Sequence, residues 1–463
     1  MEKYYDIAII GAGPGGYVAA IRASQKGKKV ALIEKDAIGG TCLNTGCIPT
    51  KVFLKTSSLL QKIKKGQEFA INVASPSIDF TLLQKRKEDI VAKLQRGLNS
   101  LIKANKIDLF NDLATLIDEH KIKLKNTSDV IIAENIIIAT GSKPLELPNL
   151  PVDNEFIFDS TAILKLKNLP ETICIVGGGY IGTEFASFFS NIGIKVILLE
   201  TLSTILNRNG KFLSDAISAT LKRANVTILT NTCIENVEKQ KNKITIFLNN
   251  KEKIEASILL SAAGRKINTE NLGLENVKNI KVKTDGAIET NEYLQTNVAN
   301  IYAIGDVLGK YMLAHVSSHE AILAVDNIVH GNKHKMDYTA IPAIVFADPE
   351  AASVGHTMES ALAAGLMVKE KNFPFQALGC AAINNDKEGS VQIIFEEMTN
   401  KIVGAHAFGF SSSELISEMT LAIKQKLSVY DLQDIIHAHP SYSEIWTEVA
   451  FAATKNPIHI FSP

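Results

Sequence analysis

The chain has 463 residues, 46% hydrophobic and 21% charged, with Lys+Arg and Asp+Glu balanced at 49 each. That length calls for roughly two to four domains rather than one core, and the zero formal charge offers no basic footprint for nucleic acid. No run of about 18 apolar residues reads as a membrane span, the opening "MEKYYDIAIIGAGPGG" has no secretory pattern, and five cysteines (42, 47, 174, 233, 380) fit a reducing compartment.

The first predicted unit is a hydrophobic strand, the turn Gly11-Ala12-Gly13-Pro14-Gly15-Gly16, a helix, and a second strand "KVALIEK" ending in Glu34. Gly11 suits the tight turn, Gly13 lets backbone approach a pyrophosphate, and Gly16 permits close helix–sheet packing. The helix N-terminus offers free N–H groups to phosphates. Glu34 follows at about the 20-residue interval where a carboxylate accepts ribose hydroxyls.

Next comes "GGTCLNTGCIPTK", residues 39–51. In a regular helix, Cys42 and Cys47 would rise about 7.5 Å apart and face different sides, so they meet only if "LNTG" bends, which Gly46 allows. A disulfide closing so small a ring would stabilise by only about 2 kcal/mol, against about 4.7 for a 100-residue loop. Two unpaired thiols, half of a metal site and a reversible electron store beside a cofactor are the uses open to the pair. A helical, Lys-rich excursion at 50–108 follows, read as amphipathic packing and solvated charge.

The strand "NIIIATGS" leads to a turn at Thr140-Gly141. At 173–200 the glycine unit returns, with Gly177, Gly179 and Gly182 in the three glycine places and Glu200 at the same interval. Two copies in strand–glycine–helix–strand–acid order are far more specific than one. A carboxylate at Glu200 repels a 2′-phosphate, and "ETLSTIL" contains no Arg to receive one, so this site favours NAD over NADP. The first site is then assigned FAD, the natural partner in a redox protein. "NIYAIGDV" is a strand ending at Gly305-Asp306, and the Pro-containing "TAIPAIVFADPEAASVG" opens a mixed α+β region. Near the end, "HAHPSYSEIW" carries His439 and Glu444; Ser441-x-x-Glu444 also reads as a capping box for the following helix, and both uses are compatible.

Taken together, "GGTCLNTGCIPTK", the two glycine motifs, "YAIGD" and "HAHPSYSE" resemble the pyridine nucleotide–disulfide oxidoreductases, in that family's order over essentially the whole chain. Within the family, the branch that oxidises dihydrolipoamide is the most similar. The resemblance implies an α/β fold with two Rossmann-like dinucleotide-binding domains and a C-terminal α+β dimerisation domain. Residues 1–146 would bind FAD, 147–273 would bind NAD, 274–338 would complete the FAD site, and 339–463 would form the interface of a homodimer.

It further implies that Cys42 and Cys47 form a redox-active disulfide. Cys47, nearer the flavin, would be the charge-transfer thiolate and Cys42 the thiol that exchanges with substrate. Lys51 would sit near the flavin N5 and pair with Glu184, and Asp306 would bind the ribityl–phosphate region. Gly15, Thr41, Thr140 and Gly141 would complete the FAD set, and Gly264 would join the NAD set. His439 would be the acid–base, oriented by Glu444, acting on the disulfide of the other subunit. The implied partner is a lipoyl-bearing carrier protein of a 2-oxo acid dehydrogenase or glycine cleavage complex, with no nucleic acid, membrane or metal. The implied location is the cytoplasm, or the mitochondrial matrix for a mature eukaryotic chain.

Some residues depart from the branch pattern: Thr50 for Ser, Ser441-Tyr442 for Thr-Leu, an aromatic Tyr180 similar to the glutathione reductase branch, and no basic residue before the loop at 376–389. The alternatives are another disulfide reductase and a scaffold that merely retains FAD. A mercuric reductase would want a C-terminal cysteine pair, and none follows Cys380. A scaffold needs none of Cys42, Cys47, Lys51, His439 or Glu444.

Overall fold

The computed structural model describes residues 1–386 and 388–460; Lys387, inside the 376–389 stretch, and residues 461–463 lie outside the described residues. The chain divides into two compact units, one made of residues 1–52, 81–145 and 264–337, the other of 53–80, 146–263 and the part from 338 onward.

The first unit is built on the strand Glu2–Ile10, whose "IAII" core is apolar on both faces because both are covered. Val30–Glu34 and Val130–Ile138 flank it in parallel, with Ile7 opposite Val30 and Ile10 opposite Ile138. Asp108–Asn111 and Ile301–Ala303 extend the parallel ladder at its two sides. The helix Pro14–Gln25 crosses from the first strand to the second, and its buried face is mostly alanine and glycine. That small-residue face admits the close packing of helix Ala314–His330, and Arg22 fixes the pair through two hydrogen bonds to Asp326 at 3.0 and 2.8 Å. Much of the Lys-rich excursion is the helix Phe80–Ala104.

The second unit repeats the plan. Five parallel strands run in the order Thr227–Leu229, Lys195–Leu199, Thr172–Val176, Ile258–Ser261, Ile157–Asp159. Helix Tyr180–Asn191 makes the crossover and buries Phe185, Phe188 and Phe189; Phe53 stacks on Phe188 with centroids 5.0 Å apart. A second five-stranded sheet, all antiparallel, runs from Ala343–Val345 through Glu350–Gly355, Ile402–Gly409 and Gly389–Glu396 to Val368–Pro374. Helices Ser412–Lys424 and Glu444–Ala453 share a core with it, centred on fully buried Trp446, whose indole N–H donates to the Leu415 carbonyl at 3.1 Å. Among the described residues, no helix is long and apolar enough to cross a membrane.

Candidate active site

The two glycine turns are built alike. Gly11 has φ +101°, and a Cβ there would lie 2.4 Å from the Ala139 carbonyl oxygen; Gly177 has φ +102°, with 2.5 Å to that of Ala262. Cβ atoms on Gly16 and Gly182 would come within 1.8 and 1.9 Å of the Gly11 and Gly177 carbonyl oxygens, so only glycine lets either helix sit so near its strand. By contrast, a Cβ on Gly13 meets nothing nearer than Gly40 Cα at 4.0 Å, and one on Gly179 meets nothing within 4 Å. Those two glycines, the N-caps of the two helices, make no side-chain caps, so the helix N-termini are available to a phosphate.

Glu34 and Glu200 also match. Glu34 Oε2 accepts from the Ala12 N–H at 2.7 Å and Oε1 from the Asp36 N–H at 2.9 Å. Glu200 Oε2 accepts from the Gly178 N–H at 2.7 Å, and Oε1 accepts from the Leu202 N–H at 2.9 Å and the Thr201 hydroxyl at 3.1 Å. Each carboxylate therefore ties its glycine loop to the end of the second strand. Two open cradles with ordered carboxylates fit two dinucleotides: Gly13 and Glu34 could hold FAD, and Gly179 and Glu200 could hold NAD.

Two outcomes follow. Gly13 already has extended backbone, φ −68° and ψ −173°, that any residue adopts. Gly13→Val is expected to keep the Tm of the flavin-free protein within about 3 °C while losing most bound FAD after reconstitution. Gly16→Ala is expected to cost about 3 kcal/mol or more through its backbone clash. Chromatography of acid-released flavin and thermal unfolding separate the two. For the second cradle, kcat/KM is expected to favour NAD over NADP by about 10²-fold or more, since a like-charge contact costs several kcal/mol. Steady-state rates should show Glu200→Ala combined with Leu202→Arg narrowing that gap; equal use of NADP by the wild type would contradict it.

Other expected cofactor residues have partners of their own. Thr140 donates to the Asn268 carbonyl at 2.6 Å, and Asn268 N–H returns a bond to the Gly141 carbonyl at 3.0 Å. Ser142 donates to Asp306, with Arg265 Nε 3.8 Å from the same carboxylate. Gly264, expected with the NAD set, lies in the first unit and accepts from the Leu145 N–H at 3.0 Å. Gly15 is buried against Ile304, where a Cβ would lie 3.2 Å from its side chain, whereas Thr41 is exposed. Glu184 is buried, and its Oε1 accepts from the Phe346 N–H at 3.1 Å.

Cys42 lies in the short helix Gly40–Thr45, and Cys47 opens the helix Cys47–Lys64. A Cβ on Gly46 would come within 2.9 Å of the Thr41 carbonyl oxygen, so glycine is needed where the chain doubles back. The two cysteines are reduced, half-buried and side by side. A hydrogen bond with Cys47, then burial, then the charge of an ionised Cys47 push the Cys42 thiol far up, while Lys51 opposes them. These causes hold the proton on Cys42, while the helix N-terminus at Cys47 favours negative charge on that sulfur.

Three supporting residues gave no signal in the sequence. The Asn44 amide donates to the carbonyls of Ala37, Ile38 and Gly40 at 3.2, 3.1 and 2.9 Å and accepts from Gln95 at 2.6 Å. The long helix Phe80–Ala104 thus braces the cysteine loop. Tyr17 lies near Cys42, and burial and then that neighbour raise its phenol.

His439 has an exposed side chain, and its Nδ1 lies 2.8 Å from Glu444 Oε1. Glu444 Oε2 accepts from the Ser441 N–H at 2.8 Å. Burial raises the Glu444 carboxyl, but the Ser441 N–H and His439 outweigh it and hold it below its usual range. Only half of the expected capping box forms. The helix N-cap is Ser443, and the Ser441 hydroxyl pairs with Ser443 Oγ at 2.9 Å instead of capping. In the other glycine unit, Tyr180 accepts from the Asn209 amide at 2.7 Å, and burial raises its phenol.

Two dinucleotide cradles, a thiol pair behind the first, and a His–Glu pair in an antiparallel α+β region define a flavin-dependent disulfide oxidoreductase. The chain matches "Pyridine nucleotide-disulphide oxidoreductase" over residues 5–321 and that family's dimerisation domain over residues 341–450, and it belongs to this family. It is an NAD-dependent FAD oxidoreductase with the α/β fold expected from its motifs. Its relatives include the dihydrolipoyl dehydrogenase of Chlamydia pneumoniae, 40% identical over 99% of each chain, and that of Bacillus subtilis, 39% identical over 98% of this chain and 97% of that one. Among solved structures it is similar to the Cu(II) complex of the HOCl-induced flavoprotein disulfide reductase RclA from Escherichia coli. That likeness has a TM-score of 0.88 and 30% identity, covering 97% of this chain and 99% of that one. LpdA from Mycobacterium tuberculosis shares the fold at a TM-score of 0.91 and 23% identity, over 97% and 99% of the two chains.

Proposed function

We propose that the enzyme oxidises dihydrolipoamide to lipoamide and reduces NAD. It does so as a cytoplasmic homodimer serving a lipoyl-bearing carrier protein of a 2-oxo acid dehydrogenase or glycine cleavage complex. The observation that carries this reading is the thiol pair itself, Cys42 and Cys47 brought side by side where Gly46 turns the chain and Cys47 opens a long helix. The His439–Glu444 pair and the full-length likeness to dihydrolipoyl dehydrogenases support it.

In the oxidised enzyme Cys42 and Cys47 are joined as a disulfide. His439, with Nδ1 directed at Glu444, takes a proton at Nε2 from one substrate thiol; in the homodimer it serves the disulfide of the second copy. The resulting thiolate attacks the Cys42 sulfur, forming a mixed disulfide and breaking the Cys42–Cys47 bond, and the electron pair leaves on Cys47. The second substrate thiol loses its proton and attacks the substrate sulfur of the mixed disulfide. That step closes the lipoamide disulfide and releases Cys42, which takes up the proton. The balance is one substrate dithiol oxidised, one enzyme disulfide reduced by two electrons, one proton on Cys42 and one on His439. FAD, when bound, supplies the two-electron link from these thiols to NAD.

A substrate panel tests the proposal: dihydrolipoamide, glutathione disulfide, mercuric ion and Cu(II), each with NAD(H) and NADP(H). Dihydrolipoamide with NAD should give the highest kcat/KM. A higher value for one of the three oxidants with NADH or NADPH would favour a different reductase, and the likeness to a flavoprotein disulfide reductase lends that reading weight.

A further inference from the structure

Two residues before His439, the same loop carries an imidazole that the mechanism does not use. The side chain of His437 is 8% exposed, where that of His439 is 75% exposed. Both ring nitrogens of His437 are engaged, Nδ1 with the Thr447 hydroxyl at 2.7 Å and Nε2 with Glu418 Oε1 at 2.9 Å. Thr447 belongs to helix Glu444–Ala453, whose first residue holds His439, and Glu418 belongs to helix Ser412–Lys424.

The spacing makes these contacts cooperate. Glu444 and Thr447 stand at i and i+3, so they share one helix face. His437 and His439 are alternate residues of the loop, and each clips onto that helix one turn apart. The Thr447 hydroxyl also lies 3.4 Å from the carbonyl oxygens of Leu432 and Ile435. Nε2 faces a carboxylate and so must carry the ring proton, which makes Nδ1 of the neutral ring the acceptor of the Thr447 hydroxyl and fixes one tautomer. His439 has no such enclosure. Among the described residues one hydrogen bond orients its ring, and the rest of its placement is inherited from the loop backbone.

We propose that His437 is a positioning residue for His439, fastening the loop to two helices so that His439 presents Nε2 in one orientation. This rests on His439 being the acid–base group. A displacement of about 1 Å at a reacting group costs about 10²-fold in rate.

The test is a double-mutant cycle on the intact holoenzyme. His437→Ala is expected to lower kcat for dihydrolipoamide oxidation by about 10- to 100-fold, with KM, bound flavin and ferricyanide reduction by NADH held near wild type. His437→Gln, which offers an amide to one of the two partners, should recover part of the loss. In a His439→Gln background, His437→Ala should add less than about twofold, because the group it positions is already gone. Additive losses in the double variant, wild-type kcat in His437→Ala, or a parallel fall in flavin content and ferricyanide reduction would each overturn the proposal. Full activity in His439→Gln alone would contradict the acid–base reading itself and remove the premise.

Discussion

Replacing His439 with Gln is expected to slow dihydrolipoamide oxidation by about 10²–10⁴-fold, the range for loss of a general acid–base. The NADH–ferricyanide reaction, which makes no call on the substrate proton, should stay within about twofold of wild type in the same sample. The split follows from the geometry. Glu444 is anchored by the Ser441 N–H and held below its usual carboxylate range, so in the proposed reaction it would fix His439 Nδ1 and stabilise the imidazolium formed when Nε2 takes a proton. Gln at 439 preserves bulk but holds no proton. Stopped-flow and steady-state rates with both substrate pairs check this, and equal losses in both reactions would point to damage at the flavin instead.

The second large effect concerns the thiols. Cys42→Ser and Cys47→Ser should each lower dihydrolipoamide oxidation by about 10³-fold or more, since the exchange needs both sulfurs. The two variants should differ in reactivity. In the wild-type dithiol, Cys47 holds the Cys42 thiol protonated by hydrogen bonding and by its charge when ionised. Cys47→Ser removes that charge and weakens the bond, so the Cys42 thiol falls toward its ordinary range and is thiolate in greater fraction at neutral to mildly alkaline pH. Iodoacetamide should therefore label Cys42 faster in Cys47→Ser than in the reduced wild type, and the gap should narrow at high pH as both become ionised. Equal rates at pH 7.5, on the order of experimental error, would mean that the pair is not coupled.

Much of the binding framework was legible in the sequence because steric exclusion enforces it. At Gly11, Gly16, Gly177 and Gly182 a side chain would strike a backbone carbonyl, so these positions leave a fixed pattern. Glu34 and Glu200 stood out by interval, but their bonds to the Ala12 and Gly178 N–H groups depend on how strand ends meet the glycine loops, which spacing does not encode. The cysteine motif was plain, yet its brace was not: Asn44 and Gln95 are far apart in the chain and share no local pattern. The C-terminal motif shows the same limit. Ser441-x-x-Glu444 suggested a full capping box, but the helix starts at Glu444 itself, so Glu444 keeps one oxygen for Ser441 N–H and frees the other for His439. Nothing local marks His437, because its partner Glu418 comes from a separate helix.

In the proposed reaction, substrate electrons enter at the Cys42–Cys47 pair. Differential alkylation with peptide mass spectrometry, run anaerobically on the holoenzyme before and after one equivalent of dihydrolipoamide, tests it most directly. Neither cysteine should be labelled before substrate, and both should be labelled after it. Cys174, fully buried with its thiol raised by burial, should stay unlabelled throughout. Free, substrate-independent labelling of Cys42 and Cys47 in an enzyme that still turns over would contradict it.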